Sequence, residues 1–250
     1  MQDERPPVAD QDARTAEAPR GGAADGARPR VALFVTCLVD GFRPSVGFAA
    51  IRLLEAAGCD VVVPPAQTCC GQPGWNSGDR EGARALARRG IEALEGHDWV
   101  VVPSGSCAGT MVKDWPEMFP AASRWRKRAE ALAARTREIT SFLVDEMGME
   151  RVEAALPAKV TYHDSCSGLR GLGVKAQPRA LLASVEGLEL TEMEEPEVCC
   201  GFGGTFCVKY PEISTAIVSD KVRNIMASGA DTLLAGDLGC LMNMAGRASR

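Results

Sequence analysis

The sequence predicts an α/β protein of two pseudo-symmetric lobes, each a short parallel sheet flanked by helices. Apolar, β-branched runs alternate with amphipathic runs, which is typical of parallel βαβ units. Eight of the ten cysteines also form one spacing pattern that occurs twice, with the same predicted strand–helix order in both copies. Such long matching intervals indicate an internal duplication. The two copies of the pattern are Cys37, Cys69-Cys70-Gly71 and Cys107, and then Cys166, Cys199-Cys200-Gly201 and Cys240.

In the first lobe, assigned to residues 30–156, each predicted strand leads towards a cysteine. Strands are predicted at 30–37, 60–64 and 98–104, and helices at 46–58 and 79–95. An inserted segment at about 112–150 is rich in Trp, Arg and Ala and is predicted to be helical.

The second lobe, assigned to residues 157–250, repeats this order. Strands are predicted at 159–166, 188–193 and 231–236, and helices at 177–187 and 211–229. Since ligands of open α/β sheets bind beyond the carboxyl ends of the strands, the four cysteines of each lobe are expected to converge. The glycines after each Cys-Cys pair would allow the tight turn that brings both sulfurs to one site.

Composition narrows the class of protein. An apolar fraction of 46% and a charged fraction of 24% are typical of a globular protein with a sizeable core. A net charge of −5 argues against nucleic-acid binding, and no apolar run approaches the roughly 20 residues of a membrane span. Residues 1–29 are poor in large apolar side chains and are predicted to be a disordered extension. They lack the apolar core of a secretory signal, which favours a cytoplasmic protein.

In a reducing compartment, ten cysteines favour metal or thiol chemistry over a disulfide framework. Thiolates bind both iron–sulfur clusters and zinc. Structural zinc more often uses a Cys-x-x-Cys pair, which is absent here. Iron–sulfur clusters are therefore the favoured interpretation, with zinc in at least one lobe and unmetallated thiols as the alternatives.

Three longer strings are specific signatures: "CCGQPGWNSG", "HDSCSGLRGLG" and "CCGFGGTFCVKYPEIS". They resemble the cysteine-rich (CCG) domain that occurs in heterodisulfide reductase and in the iron–sulfur subunit of glycolate oxidase. More narrowly, residues 30–250 resemble the lactate utilization protein A family. The resemblance implies an iron–sulfur redox subunit of a cytoplasmic complex that oxidises L-lactate to pyruvate. It also implies two partner subunits, one of them a ferredoxin-like iron–sulfur protein.

The resemblance further implies an iron–sulfur cofactor of the [4Fe–4S] type, held by two sets of cysteines, one in each lobe. Thr110 and Asn243 stand where the wider pattern ends in Cys-x-x-Cys, so the fifth thiolate of heterodisulfide reductase is missing. The chain ends at "GRASR", where the family usually continues, which leaves open whether the outer part of the second lobe is complete. The implied ligands are Cys37, Cys69, Cys70 and Cys107, and Cys166, Cys199, Cys200 and Cys240.

The function has alternatives. Glycolate or another 2-hydroxy acid could replace lactate, the complex could be of the heterodisulfide reductase type, or the chain could be a non-enzymatic zinc module. Without a flavin or nicotinamide fingerprint, a subunit is favoured over a stand-alone enzyme, and binding of a small 2-hydroxy acid to this chain stays open.

Residues around the cysteines yield further hypotheses. His163 is interpreted as bonding backbone near its loop, with a role as ligand or proton donor as the alternative. Arg170 is predicted to pair with Asp164, although it could instead hold a substrate carboxylate. Cys59 is predicted to be a small buried hydrophobe, and Cys207 is left as a possible ligand or redox residue.

The cluster site is expected in a cleft between the lobes, on the edge that bears both Cys-Cys-Gly turns. Phe202 and Phe206 are expected to cover it. Such a junction would shield the thiolates from water and oxidation.

Overall fold

The computed structural model describes residues 28–250. The predicted disordered extension at 1–29 therefore lies, except for its last two residues, outside the described part. The first lobe runs through the following elements: β1 (Arg30–Leu33), α1 (Cys37–Phe42), α2 (Pro44–Ala56), β2 (Asp60–Val62), α3 (Gln72–Ser77), α4 (Arg80–Leu94), β3 (Trp99–Val102), α5 (Gly105–Gly109), α6 (Trp115–Glu117), α7 (Arg124–Ala133), β4 (Thr136–Glu138) and α8 (Ile139–Ser141).

The second lobe follows the same order without the insertion. Its elements are β5 (Ala155–His163), α9 (Ala176–Ala183), β6 (Glu186–Leu190), α10 (Phe206–Lys209), α11 (Pro211–Ala227), β7 (Thr232–Ala235) and α12 (Leu238–Ala248). Three π-helical turns interrupt the chain, at Thr110–Asp114, Phe142–Glu146 and Ser167–Gly171.

Each lobe has its own parallel sheet. The strand order is β2-β1-β3-β4 in the first and β6-β5-β7 in the second, so β1, β2 and β3 correspond to β5, β6 and β7. In both lobes the first strand lies between the other two and its carboxyl end points at the cysteines. The predicted α/β fold with two duplicated lobes is confirmed. The boundary after residue 156 falls inside β5 and stays a prediction.

The inserted segment is largely helical, as predicted, but it also holds a strand that was not predicted. It contains β4, which pairs in parallel with β3 and adds a fourth strand to the first sheet. The short sequence Thr-Arg-Glu has no apolar alternation, so the strand gives no periodic signal. It forms because pairing with β4 gives hydrogen-bond partners to the backbone groups at the edge of β3. Thr136 and Glu138 of β4 are buried in the same contact.

Buried Glu138 ends β4 and caps the next helical turn. Its carboxylate accepts hydrogen bonds from Thr140 N, Thr140 Oγ1 and Ser141 N at 2.6–3.1 Å. Burial nevertheless dominates and raises the pKa of Glu138 from 4.5 to about 6. The carboxyl lies in an apolar cavity of about 360 Å³ between the lobes.

The raised pKa of Glu138 gives a first prediction. Its stabilising contribution is complete below the unfolded pKa of about 4.5 and is lost as the pH rises through about 6. Relative to Glu138→Gln, which keeps an acceptor oxygen, the wild-type free energy of unfolding should fall by about 2 kcal/mol between about pH 4 and about pH 7. Urea titrations of both proteins across this range measure the difference; a constant difference would contradict the prediction.

The lobes meet where the helices carrying the fourth cysteine of each set begin. Ser104 caps α5, and Asp237 caps α12 by accepting from Gly239 N. The other carboxylate oxygen of Asp237 accepts from Ser106 N at 2.9 Å and from Ser104 Oγ at 3.1 Å. A single carboxylate thus binds the start of both helices and fixes one cysteine set relative to the other.

The same interface has no room for a side chain at Gly105. A Cβ there would lie 2.8 Å from the Cα of Gly168 in the second lobe. Since backbone cannot yield as a flexible side chain can, the sequence needs glycine where α5 meets the π-helical turn of the other lobe.

Candidate metal centre

The first lobe brings four cysteines together at the carboxyl edge of its sheet. Cys37 is the first residue of α1, Cys69 and Cys70 precede α3, and Cys107 lies in α5. Cys37 Sγ lies 3.8 Å from Cys69 Sγ, and Cys70 Sγ lies 3.4 Å from Cys107 Sγ. Sulfurs at these separations can bind one metal centre, since metal–sulfur bonds are about 2.3 Å long.

The second lobe repeats the arrangement. Cys166 begins the turn after β5, Cys199 and Cys200 follow β6 by a loop, and Cys240 lies in α12. Cys166 and Cys200 lie close enough to Cys199 to lower its pKa, and Cys200 Sγ lies within 4.8 Å of Cys240 Sγ. All ten cysteines of the chain are free thiols.

Each Cys-Cys pair is followed by a glycine in the left-handed region. Gly71 has φ 85° and Gly201 has φ 78°. Their backbone N–H groups donate to Cys69 Sγ at 3.4 Å and to Cys199 Sγ at 3.3 Å. A Cβ on Gly201 would lie 2.8 Å from Ser214 O in α11. Glycine is therefore required both for the turn and for the close approach of the following helix.

A hydrogen bond also holds the carbonyl of the second cysteine in each pair. Trp115 Nε1 donates to Cys70 O, and Asn243 Nδ2 donates to Cys200 O, both at 2.8 Å. Asn243 thus has a structural role in place of the cysteine found there in the wider pattern. Neither bond was predicted from the sequence, because each joins residues more than 40 positions apart.

Ionisation is unequal among the clustered thiols. Hydrogen bonds from Cys37 and then Cys70 lower the pKa of Cys69 to about 2, and those from Cys166 and then Cys200 lower the pKa of Cys199 to about 2. Thiol neighbours and burial raise the pKa values of Cys37 and Cys166. One cysteine of each set therefore ionises first and suppresses its neighbours.

This donor set fits a metal centre. Thiolates this close repel one another, so a set can ionise fully only around a cation. Sulfur ligands favour iron–sulfur clusters, zinc or copper(I). The assignment of all eight cysteines as ligands stays a prediction.

Comparison with known proteins identifies the family. The profile described as cysteine-rich domain, CCG, matches residues 31–112 and 160–245. Lactate utilization protein A of an Exiguobacterium species is 49% identical over 221 residues, which cover 88% of this chain and 90% of that protein. The proteins of the same name from Bacillus subtilis (strain 168) and a Geobacillus species are 46% and 48% identical, with 88% of this chain and 92% of each relative covered.

The chain belongs to the lactate utilization protein A family. The two profile matches coincide with the two lobes and contain both cysteine sets of this family member.

A cavity of about 250 Å³ adjoins the first cysteine set and reaches the second lobe. All four cysteines of the first set line it, opposite Phe202, Gly204 and Thr205 from the other lobe's glycine loop. None of the second set is among its described lining residues. The placement of both sets in one cleft therefore stays a prediction.

The two phenylalanines expected to cover the site have different positions. Phe202 lines the cavity and lies against Gly239, where a Cβ would be 2.4 Å from its ring. Phe206 instead contacts the ring of Tyr210, with centroids 5.6 Å apart.

The predicted pairing of Arg170 with Asp164 is wrong. Asp164 pairs with Arg179 of α9 through two bonds of 2.8 and 2.9 Å, while Arg170 is exposed. The π-helical turn after Cys166 leaves Arg170 on the surface, whereas α9 packs beside the end of β5. The ring of His163 lies beside the backbone carbonyl of Pro196, but neither ring nitrogen makes a hydrogen bond of normal geometry within residues 28–250.

The surroundings of the two sets differ in polarity. Phe34, Met111 and Trp115 form an apolar core behind the first set. Behind the second set, Lys221 is 0% exposed and donates to the carbonyls of Glu195 and Pro196 at 2.6 and 3.0 Å. Burial, and secondarily the neighbouring Lys221, lowers the pKa of His163 to about 4.

Sequence reasoning missed Lys221. It occupies a buried stripe of α11 with Ser214, Val218 and Ile225, at helical spacings of three and four residues. A lysine in such an apolar stripe is a signal of a buried cation, since lysine is almost never fully buried without partners.

The remaining cysteines lie outside the two sets. Cys59 is buried in the apolar core formed by Val31, Leu33 and Leu54, so its prediction as a small buried hydrophobe is confirmed. Cys207 Sγ donates to Gly204 O at 3.2 Å within its own loop.

Proposed function

We propose that the protein is an iron–sulfur redox subunit of a cytoplasmic complex that oxidises L-lactate to pyruvate. The observation that carries this proposal is the pair of four-cysteine sets at corresponding sheet edges of a lactate utilization protein A family member. The four clustered cysteines of each lobe support a cluster of the [4Fe–4S] type.

Two cysteine sets could hold two one-electron clusters, which matches the two electrons that the reaction releases. Oxidation of a 2-hydroxy acid to a 2-oxo acid releases two electrons and two protons. An iron–sulfur cluster supplies a one-electron acceptor, and its potential depends on hydrogen bonds to sulfur and on burial. The chain contributes such bonds through Gly71 N and Gly201 N.

Binding of the hydroxy acid itself is assigned to a partner subunit. A lactate carboxylate is best recognised by arginine or lysine. Among the described residues, the lining of the cavity beside the first set contains neither, and its polar side chains are four hydroxyls, four thiols, the carboxamide of Gln72 and the carboxylate of Asp237, which would repel a substrate anion. The cavity is therefore suited to electron transfer at the thiolate site rather than to a carboxylate substrate.

Partner docking is supported by exposed apolar side chains near this cavity. Val208 lines it and is 78% exposed, and Tyr210 and Ile213 follow in the chain with more than half of each exposed. We assign this edge to one of two partner subunits, a ferredoxin-like iron–sulfur protein that exchanges electrons with the first lobe.

Free thiols are maintained in a reducing compartment, so all ten free cysteines support a cytoplasmic location. None of the helices between residues 28 and 250 combines the length and apolarity that crossing a membrane requires.

The proposal is tested by anaerobic purification followed by iron, acid-labile sulfide and zinc analysis. We expect iron and sulfide in equal amounts, and a paramagnetic signal after reduction. A deletion strain should lose growth on L-lactate and keep growth on glycolate. Zinc without iron would contradict the redox function, and loss of growth on glycolate alone would replace lactate by the competing hydroxy acid.

A further inference from the structure

The lobes differ at the position three residues before the first cysteine of each set. The first lobe has Phe34 there and the second has His163. Both are buried, but Phe34 packs within an apolar core. His163 is 1% exposed, and although the Pro196 carbonyl lies beside its ring, neither ring nitrogen makes a hydrogen bond of normal geometry within the described chain. An unpaired buried polar group is costly unless something else in the site binds it.

The imidazole of His163 is directed at the second cysteine set. One of its ring nitrogens, Cys200 Sγ and Cys240 Sγ all lie within 4.8 Å of one another. All three residues are buried. This is a mixed nitrogen and sulfur donor set, which binds zinc in structural sites and binds iron where histidine replaces cysteine in a cluster.

The charges around the second cysteine set are compatible with an uncharged imidazole as a metal ligand. The buried Lys221 holds the loop before Cys199 by its carbonyls, so this lobe already has one cation close to its thiols. A neutral imidazole that takes the place of one thiolate at the metal lowers the negative charge of this crowded set.

We propose that His163 is a nitrogen ligand of the metal centre in the second lobe, beside Cys200 and Cys240, so that the two lobes hold chemically different centres. For an iron–sulfur centre this rests on the proposed function. Nitrogen in place of thiolate raises the reduction potential of an iron–sulfur cluster. The second lobe is then the electron acceptor and the first lobe the donor to it.

The chain offers a sharp test because it contains two histidines, His97 and His163. His97 lies at the turn before β3, with Nδ1 3.2 Å from Leu94 O, and serves as the matched control. The protein is expressed in cells supplied with ¹⁵N-labelled histidine, purified anaerobically and reduced. Pulsed electron paramagnetic resonance then measures the coupling of ¹⁵N nuclei to the reduced centre. In labelled His97→Gln, any strongly coupled ¹⁵N nucleus must belong to His163, and the experiment does not depend on the folding of a His163 variant.

We expect strong ¹⁵N coupling in the wild type and in His97→Gln, and its loss in His163→Phe, which introduces the residue of the first lobe. The midpoint potential of the second centre should also fall in His163→Phe. If His97→Gln retains full iron and sulfide but shows no ¹⁵N coupling, His163 is not a ligand. That result would overturn this inference and leave the iron–sulfur function in place. Zinc without iron would overturn the iron–sulfur function instead. The zinc K-edge spectrum would then decide the role of His163, since a centre with sulfur scatterers only would overturn it.

Discussion

Replacement of Cys70 by serine is expected to abolish growth on L-lactate and to remove the metal centre of the first lobe. Cys70 is buried, its Sγ lies 3.4 Å from Cys107 Sγ, and its carbonyl accepts from Trp115 Nε1. Serine leaves that carbonyl contact in place but supplies a hydroxyl, which does not bind iron as a thiolate does. Iron content should fall to roughly half if each lobe holds one equal centre.

Cys207→Ser is the matched control for this experiment. Its Sγ bonds Gly204 O within a loop, and serine can make the same bond. This variant should retain full iron and growth. The reciprocal variant Cys200→Ser should remove the centre of the second lobe and leave that of the first. Normal growth of Cys70→Ser on lactate, with the protein present at wild-type level, would argue for a binding scaffold instead of an electron carrier.

Arg179→Ala should produce the largest loss of stability among surface-facing substitutions. Arg179 holds the Asp164 carboxylate through two bonds, and the side chain of Asp164 is 1% exposed. Removal of the guanidinium leaves a buried charge without its partner, which typically costs about 3–5 kcal/mol. Arg179 also bonds Glu192 after β6, so the loop leading to Cys199 loses a second contact.

Anaerobic urea denaturation followed by circular dichroism measures this loss. Arg170→Ala is the control, because Arg170 is exposed on the preceding turn and its removal should change the free energy of unfolding by less than about 0.5 kcal/mol. Asp164→Asn combined with Arg179→Ala should recover part of the loss, since it removes the unpaired charge. Equal stabilities of Arg179→Ala and Arg170→Ala would contradict the importance of the pair.

The sequence predicts those parts of the structure that depend on pattern and spacing. Duplicated cysteine intervals and alternating apolar runs were sufficient to predict three strands of each sheet and the common edge at which those strands end. Local capping shortens the predicted elements. The strand expected over 30–37 ends at Leu33, because the Thr36 side chain accepts from Val39 N and begins α1.

The errors concern contacts between residues far apart in the chain. β4 exists through its pairing with β3, and the partner of Asp164 is set by how α9 packs rather than by proximity to Arg170. The unpaired imidazole of His163 likewise depends on which backbone groups the fold leaves beside it. No single-sequence periodicity contains such information, because tertiary packing decides it.

The bond between Ser104 and Asp237 shows that the two halves of this chain are no longer interchangeable. Each residue stands three positions before the fourth cysteine of its set, and the two cap corresponding helices, α5 and α12. A homodimer of the second lobe would place two carboxylates face to face at this contact, where like charges repel. A homodimer of the first lobe would have two hydroxyls there and no anion for the two helix starts. After duplication, each half has become the complement of the other.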